Sequence, residues 1–370
     1  MPRRLSFDIF CRVIDNFGDI GVCWRLSRQL ALTHDVRLWV DDLHSFARIE
    51  PAVSSGAAQQ TIERVRVLHW VAHMPLPEPQ QVVIEAFACD PPADFIQKMA
   101  LAGSLWINLE YLSAEPWVES FHALPSPQAS GVRKAFFFPG FTPGTGGLLR
   151  EDGLTAERDA WQTNPQARAE LLRDLRVAST SIASVDAGAL LIMLFCYANA
   201  PATQLLAALQ ASGREALVLV PAGVCPGLAR GRHGQIDVQE IPFVSQHDFD
   251  RLLWSCDLNC VRGEDSLVRA LWAGKPLLWH IYPQDDEAHL HKLDAWLACS
   301  PFSGMVQQAI RHWNDGNIAC FAPAMSQALQ GNDWNAWKTQ SARWSDKLAS
   351  QPDLASSLVD FCLKYSVKAK

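Results

Sequence analysis

The chain has no long apolar run, no excess of positive charge, no paired-cysteine spacing and none of the short motifs that mark several enzyme classes. No apolar stretch reaches the roughly 18 residues that a membrane-spanning helix needs; the longest, 187–197, suits a buried strand. A formal charge of −7 argues against a general nucleic-acid binder, which carries a basic face. Ten cysteines are present without a single Cys-x-x-Cys. Many lie in apolar segments, so they read as buried thiols of a cytoplasmic protein rather than a disulfide framework. The opening Met-Pro-Arg-Arg runs straight into a candidate strand containing Asp8, which is not the pattern of a secretory signal. HExxH, GxxxxGK[ST], GxSxG and GxGxxG are all missing. The last absence weakens a nicotinamide-binding reading, because the loop after the first strand holds only Gly18 and Gly21. No repeat or low-complexity segment occurs.

What remains is the composition of a globular soluble protein, with 49% hydrophobic and 19% charged residues. A length of 370 residues implies two domains. Fourteen tryptophans are expected mostly in the core, since each carries a large apolar area. Strand-like and helix-like stretches alternate. Residues 5–13, 36–40, 65–71, 82–88, 105–109 and 134–138 read as strands, with helices at 22–34 and 93–101. Val22, Leu26 and Leu30 mark the buried stripe of the first helix, with Arg25 and Arg28 turned elsewhere. After turn-rich residues 139–166, a helix at 168–175 and the small, polar stretch 178–188, the alternation resumes. Strands follow at 189–197, 216–220, 236–241, 258–261 and 277–281, and helices at 203–212, 246–256 and 285–299. Four helical stretches end the chain, at 306–313, 322–329, 334–350 and 354–365. The pattern is that of an α/β protein with two doubly wound, Rossmann-like domains facing a cleft. The expected division is residues 1–180, joined by a closing helix within 354–370, and residues 181–353.

The stretch Cys260–Trp279 is the clearest unit: strand, tight turn at Gly263, helix, stop at Gly274, strand. Asp265 or Ser266 is the expected N-cap, with Leu267, Leu271 and Trp272 on the buried face. The start of a helix offers unpaired N–H groups and about half a positive charge, enough to hold phosphate without a metal. Ser266 would add a hydroxyl donor. Glu264 is unfavourable beside phosphate unless it holds something else, such as sugar hydroxyls, which points to a nucleoside diphosphate. An ordinary capped helix in a parallel sheet explains the same pattern.

Other candidates lie at the carboxyl ends of strands, where open α/β sheets bind ligands. In the loop 14–21, Asp15 and Asp19 flank Asn16, Phe17 and Gly18. Two carboxylates on such a turn can grip a cation, and one can act as a general base; an Asx-turn and a helix cap would need the same residues. Phe243 and Gln246 sit within reach of a base or ribose, and Gln246 opens a helix capped by Ser245 with Asp248 three residues later. Tyr197 ends a strand, where a lone tyrosine more often packs than binds a ligand. The run Pro283–His291, with Asp285, Asp286, Glu287, His289 and His291, has the residue types of a metal site. Its two histidines are two apart and share no helix face, so no metal is expected.

With these residues in view, the chain resembles the protein-arginine rhamnosyltransferases that modify elongation factor P, the EarP family. The segments 10–26 (FCRVIDNFGDIGVCWRL), 257–266 (DLNCVRGEDS), 279–284 (WHIYPQ) and 289–296 carry the likeness, which extends over the whole chain. It implies a GT-B glycosyltransferase fold, with acceptor bound mainly by the first domain and dTDP-β-L-rhamnose by the second. It implies transfer with inversion to an arginine on a loop of elongation factor P, activating translation of polyproline stretches. No metal or resident cofactor, no nucleic acid and no membrane is implied. Position by position, Asp19 matches the catalytic carboxylate and Asp15 its supporting acid. Tyr197, Ser266 and the amides near Asp265 match the diphosphate site, Glu264 a ribose ligand, and Phe243 and Gln246 the thymidine pocket. Phe17 and Gly18 fall among the donor-contacting positions. The alternatives are a nucleotide-sugar epimerase or hydrolase of the same architecture, or a non-catalytic partner of elongation factor P.

Overall fold

A computed structural model of the protein describes residues 4–15, 17–284 and 287–367, without the side chains of 366 and 367. The chain forms two compact units, one of residues 1–151 with 351–370 and one of residues 152–350.

Among the described residues the first unit is built on eight strands: β1 (Ser6–Cys11), β2 (Asp35–Val40), β3 (Gln59–Ile62), β4 (Val65–His69), β5 (Val82–Ala86), β6 (Leu105–Leu109), β7 (Pro125–Ser126) and β8 (Arg133–Phe137). They lie in the order β3-β4-β2-β1-β5-β6-β8-β7, parallel except for the short β3 and β7. The chain builds outward from β1 through β2 and β4 on one side, and through β5, β6 and β8 on the other. The strand order therefore reverses between β1 and β5, which leaves a crevice at their carboxyl ends. After Ser6, strand β1 is apolar except for Asp8, which is fully buried. Its register against β2 sets Asp8 beside Arg37. The carboxylate accepts both guanidinium bonds at 2.6 Å, the Trp39 indole N–H at 2.8 Å and the Gln80 amide at 2.8 Å. A buried charge is tolerable only when satisfied in this way. On the same sheet Phe10 stacks on Trp39 at 4.9 Å, an arrangement worth about 0.5–1.5 kcal/mol beyond the area buried.

The helix after β1 spans Gly18–Ala31. It begins four residues before the apolar stripe that defines it in the sequence, because Asp19 is favoured in a first helical turn and draws the start forward. Arg25 is not turned away from the interior. It is fully buried and bonds Glu151 through Nε at 2.8 Å and Nη2 at 2.7 Å. The chain returns to this unit at its far end. Leu354–Val367 is helical, Phe361 packs on Phe137 at 5.7 Å, and the Leu354 amide donates to the Leu148 carbonyl at 3.0 Å. Gly147, at φ +78°, lets the two segments meet: a Cβ there would sit 2.5 Å from the Pro352 carbonyl oxygen.

Among the described residues the second unit has six strands: β9 (Leu190–Leu194), β10 (Ala216–Pro221), β11 (Gly231–His233), β12 (Ile236–Ile241), β13 (Leu258–Arg262) and β14 (Leu277–His280). Their order is β11-β12-β10-β9-β13-β14, parallel except for β11. Here the reversal falls between β9 and β13.

The division at 151/152 corrects the boundary expected near 180. The helices Leu154–Gln162, Pro165–Asp174 and Ser179–Asp186 belong to the second unit. The first of them supplies donors to the ends of two other helices, in part to carbonyls that would otherwise stay unpaired. Arg158 donates to the Trp272 carbonyl at 3.0 Å, Gln162 to the Ala273 carbonyl at 2.9 Å, and the Trp161 indole to Ser255 Oγ at 2.9 Å. Most of the tryptophans are buried. Among the described residues no helix is long and apolar enough to cross a membrane, and no cysteine is in a disulfide.

Candidate functional site

In the first unit the site loop leaves β1 at the reversal point. Asp19, 3% exposed, lies in the first turn of the helix. Its Oδ2 accepts the backbone N–H of Ile14 at 2.8 Å and of Asp15 at 2.9 Å. Two amides on one carboxylate oxygen hold the group in one orientation, and they tie the start of the loop to the helix that follows it. Asp15 closes the turn from the other side, its carbonyl accepting the Gly18 amide at 2.6 Å. Its carboxylate lies so close that a Cβ on Gly18 would sit 2.8 Å from Oδ2, so a side chain there would have to push the Asp15 carboxylate aside. Phe17 is the residue before the helix, and the Arg48 guanidinium lies over its ring at 5.0 Å. The loop thus gathers Asp15, Phe17, Gly18 and Asp19. Asn16 lies outside the described residues. Behind them Cys11 is fully buried, and its contact with the Cys23 thiol and its burial push it far above the usual thiol range, so it stays protonated.

In the second unit the turn between β13 and the helix Asp265–Ala273 is pinned from three sides. Gly263, at φ +64°, donates to the His280 carbonyl at 3.2 Å and accepts from the Trp279 indole at 2.8 Å. The Ser266 hydroxyl donates to the Arg262 carbonyl and accepts the Arg262 amide at 3.1 Å. This hydroxyl, expected as a donor to phosphate, closes the turn instead, and what the helix start presents is its backbone. Glu264, not Asp265 or Ser266, is the residue before the helix, and its side chain makes no cap. It pairs with Lys292 Nζ at 2.7 Å. The Asp265 side chain points inward. Its Oδ2 accepts Arg269 Nε at 2.9 Å and Gln246 Nε2 at 3.3 Å, and Arg269 Nη1 bonds Asp250 at 2.6 Å. Gln246 and Asp265, named separately from the sequence, are thus joined in one buried chain of polar groups. Ser245 caps the helix Gln246–Ser255 by accepting the Asp248 amide at 3.3 Å.

Tyr197 lies three residues beyond β9. Its amide donates to His280 Nδ1 at 3.2 Å, and its ring meets those of His280 and Tyr282 at 5.4 and 5.5 Å. Burial, then the nearby charges of Arg262 and His289, push His280 down to about 4, so it is neutral and accepts that amide throughout the physiological range. Arg262 lies over Phe195 at 4.6 Å and Tyr197 at 4.9 Å and donates to the Cys196 carbonyl at 3.3 Å. Phe243 reaches the same group through Phe195, ring to ring at 6.3 Å. The carboxyl ends of β9, β13 and β14 therefore carry a half-buried cation set among aromatic rings beside a helix start, a surface suited to a diphosphate with a ring attached. Arg262, His280 and Lys292 were given no role from the sequence. All three lie within segments 257–266, 279–284 and 289–296, and an arginine at a strand's carboxyl end one residue before a turn glycine was the available signal for the first.

Asp285 and Asp286 lie outside the described residues. His289 accepts the Gln284 amide at 3.2 Å, and among the described residues no group of three or more His, Cys, Asp or Glu is arranged to hold a metal ion.

The family model described as "Elongation-Factor P (EF-P) rhamnosyltransferase EarP" matches residues 7–363. A protein-arginine rhamnosyltransferase of Pseudomonas putida is 46% identical, covering 97% of this chain and 98% of the relative. One of Neisseria meningitidis serogroup B is 36% identical over 96% and 97%. A solved structure concerned with EarP-mediated arginine glycosylation of translation elongation factor EF-P is 34% identical, with a TM-score of 0.63 over 97% of this chain and 98% of that one. Phytolacca americana UGT2 is similar in fold alone, at 11% identity and a TM-score of 0.52 over 98% of this chain and 100% of that one.

Proposed function

The chain belongs to the EarP family of elongation factor P rhamnosyltransferases, and from that premise we propose how its residues divide the reaction. It is a GT-B glycosyltransferase that moves rhamnose from a sugar donor to an arginine of elongation factor P. The match over nearly the whole chain carries this conclusion. In the finer reading, the donor is dTDP-β-L-rhamnose, the arginine stands on a loop of the factor's N-terminal domain, and the work is done in the cytoplasm, where thiols stay reduced.

An arginine nitrogen is a poor nucleophile, because its lone pair is delocalised and the guanidinium keeps its proton at any working pH. Removing that proton before attack is too costly; removing it as the bond forms is not, since the nitrogen becomes acidic only as it gives up electron density. In the proposed step one guanidinium nitrogen attacks the anomeric carbon, the bond from that carbon to the diphosphate oxygen breaks, and the nitrogen's proton passes to Asp19. One displacement inverts the carbon. The two amides that orient the Asp19 carboxylate support its role as base, and Asp15 beside it supports holding the guanidinium.

The leaving diphosphate needs positive charge. Arg262 and the helix start at Asp265 supply it, and we propose that no metal does. Ser266 acts by shaping the turn, while Tyr197 lines it together with Arg262. Glu264, steadied by Lys292, receives the ribose hydroxyls. Phe243 and Gln246 hold the base. Phe17 and Gly18 border the sugar from the other loop.

The test incubates the purified chain with elongation factor P and dTDP-rhamnose, with and without a chelator, and reads the factor by mass spectrometry. One deoxyhexosyl increment on an arginine, unaffected by chelator, is expected. Donor breakdown without an increment would identify a hydrolase instead.

A further inference from the structure

The turn after β5 holds a feature that the proposed reaction has not used. Phe87 and Ala88 both adopt left-handed backbone, at φ +59° and +54°, a costly conformation for a bulky side chain that clusters where function demands it. Three bonds maintain it: the Phe87 amide to the Leu109 carbonyl at 2.7 Å, the Ala88 amide to Asn108 Oδ1 at 3.3 Å, and Cys89 Sγ to the Phe10 carbonyl at 3.3 Å. The result is not a buried core residue. The half-buried Phe87 ring stacks on Tyr111 at 4.3 Å and 12° between planes, and Tyr111 is 39% exposed. Asn108, 3% exposed, also donates to Glu110 at 2.6 Å, setting a carboxylate next to the stacked pair in the chain.

Strand register fixes where this lies. Phe10 of β1 stands beside Glu85 of β5, and Ala86 of β5 beside Leu109 of β6. The loops carrying Asp15 and Asp19, Phe87, and Tyr111 therefore leave the carboxyl edge of three adjacent strands, spaced about 5 Å apart, on either side of the reversal between β1 and β5. A planar cation binds by lying over an aromatic face while its N–H edge meets carboxylates. Both halves of that requirement occur along this edge.

We propose that the stacked pair Phe87–Tyr111, with Glu110, is the platform that receives the guanidinium of the acceptor arginine and presents its edge to Asp15 and Asp19. The proposal rests on the transferase reading above. Tyr111→Ala, a change at an exposed position, is expected to raise the KM for the acceptor by about tenfold, to change kcat much less, and to leave the donor's dissociation constant as it was by calorimetry. Tyr111→Phe keeps the ring face and is expected to match the wild type. An acceptor KM for Tyr111→Ala within twofold of the wild type overturns the proposal, as does a Tyr111→Phe variant as impaired as Tyr111→Ala. If the wild type itself leaves elongation factor P unmodified, the transferase reading fails and the platform with it, an outcome distinct from active wild type with an unaffected variant.

Discussion

Asp19→Asn separates the chemical task of this residue from its structural one. Asparagine can turn its carbonyl oxygen to the Ile14 and Asp15 amides, which Asp19 Oδ2 now accepts at 2.8 and 2.9 Å. The loop keeps both bonds, in neutral form and about 1 kcal/mol weaker. It loses the capacity to take a proton. Loss of a positioned base costs about 10²- to 10⁴-fold in rate, or about 3–5.5 kcal/mol of barrier. Asp19→Ala removes both functions and leaves two amides to find water in a half-exposed loop, at a cost of about 1–3 kcal/mol. The expected pattern is that both variants lose turnover, the alanine variant unfolds at lower urea than the asparagine variant, and both bind donor as the wild type does. Initial rates of acceptor modification by mass spectrometry, urea melts and calorimetry read these three quantities. If Asp19→Asn turns over within tenfold of the wild type, Asp19 is not the base and the division of roles above is wrong.

Further outcomes follow from the second unit. Arg262→Gln is expected to weaken donor binding by at least about tenfold, whereas Ser266→Ala, which loosens the turn without removing charge, weakens it less; calorimetry compares the two, and equal losses would count against Arg262 as the charge that meets the diphosphate. His280 takes up a proton near pH 6.5 when unfolded but only near 4 when folded. Its contribution to stability is thus intact above pH 6.5 and lost as pH falls through that window, by about 3 kcal/mol. Urea melts of wild type and His280→Asn should diverge at neutral pH and converge toward pH 4. Arg269→Ala strands the carboxylates of Asp250 and Asp265 and is expected to cost about 3–5 kcal/mol; a urea midpoint equal to the wild type's would show that the buried chain of polar groups does not bear on stability.

The two-sheet α/β architecture was legible because parallel strands buried on both faces leave continuous apolar runs such as Leu190–Leu194 and Ala216–Val220, and because glycine and proline punctuate their ends. The short strands β3, β7 and β11 were not legible. They are edge pieces of two to four residues whose partners, not their own side chains, make them strands. The boundary near 180 failed for a similar reason. Turn content marks where a chain bends, but the helix Leu154–Gln162 goes where Arg158 and Gln162 find helix-end carbonyls and Trp161 the Ser255 hydroxyl, and that is a matter of long-range contact. The loop carboxylates Asp15 and Asp19 could be named from their spacing, while the roles of their neighbours rested on likeness to a family.

By itself, then, the order of residues determined which segments could be strands and helices, that the strands would form parallel sheets, and that Asp19 and Gly263 would stand at strand ends, because these follow from local pattern and backbone freedom. Only the folded chain decided that the Ser266 hydroxyl closes its own turn, that Asp265 and Gln246 share the Arg269 cluster, that Arg25 is sealed by Glu151 and that Phe87 stacks on Tyr111. Most of these are choices of partner between groups 19 to 126 residues apart in sequence, and even the four-residue contact of Ser266 is one of several open to it locally; burial, hydrogen-bond satisfaction and strand register make the choice.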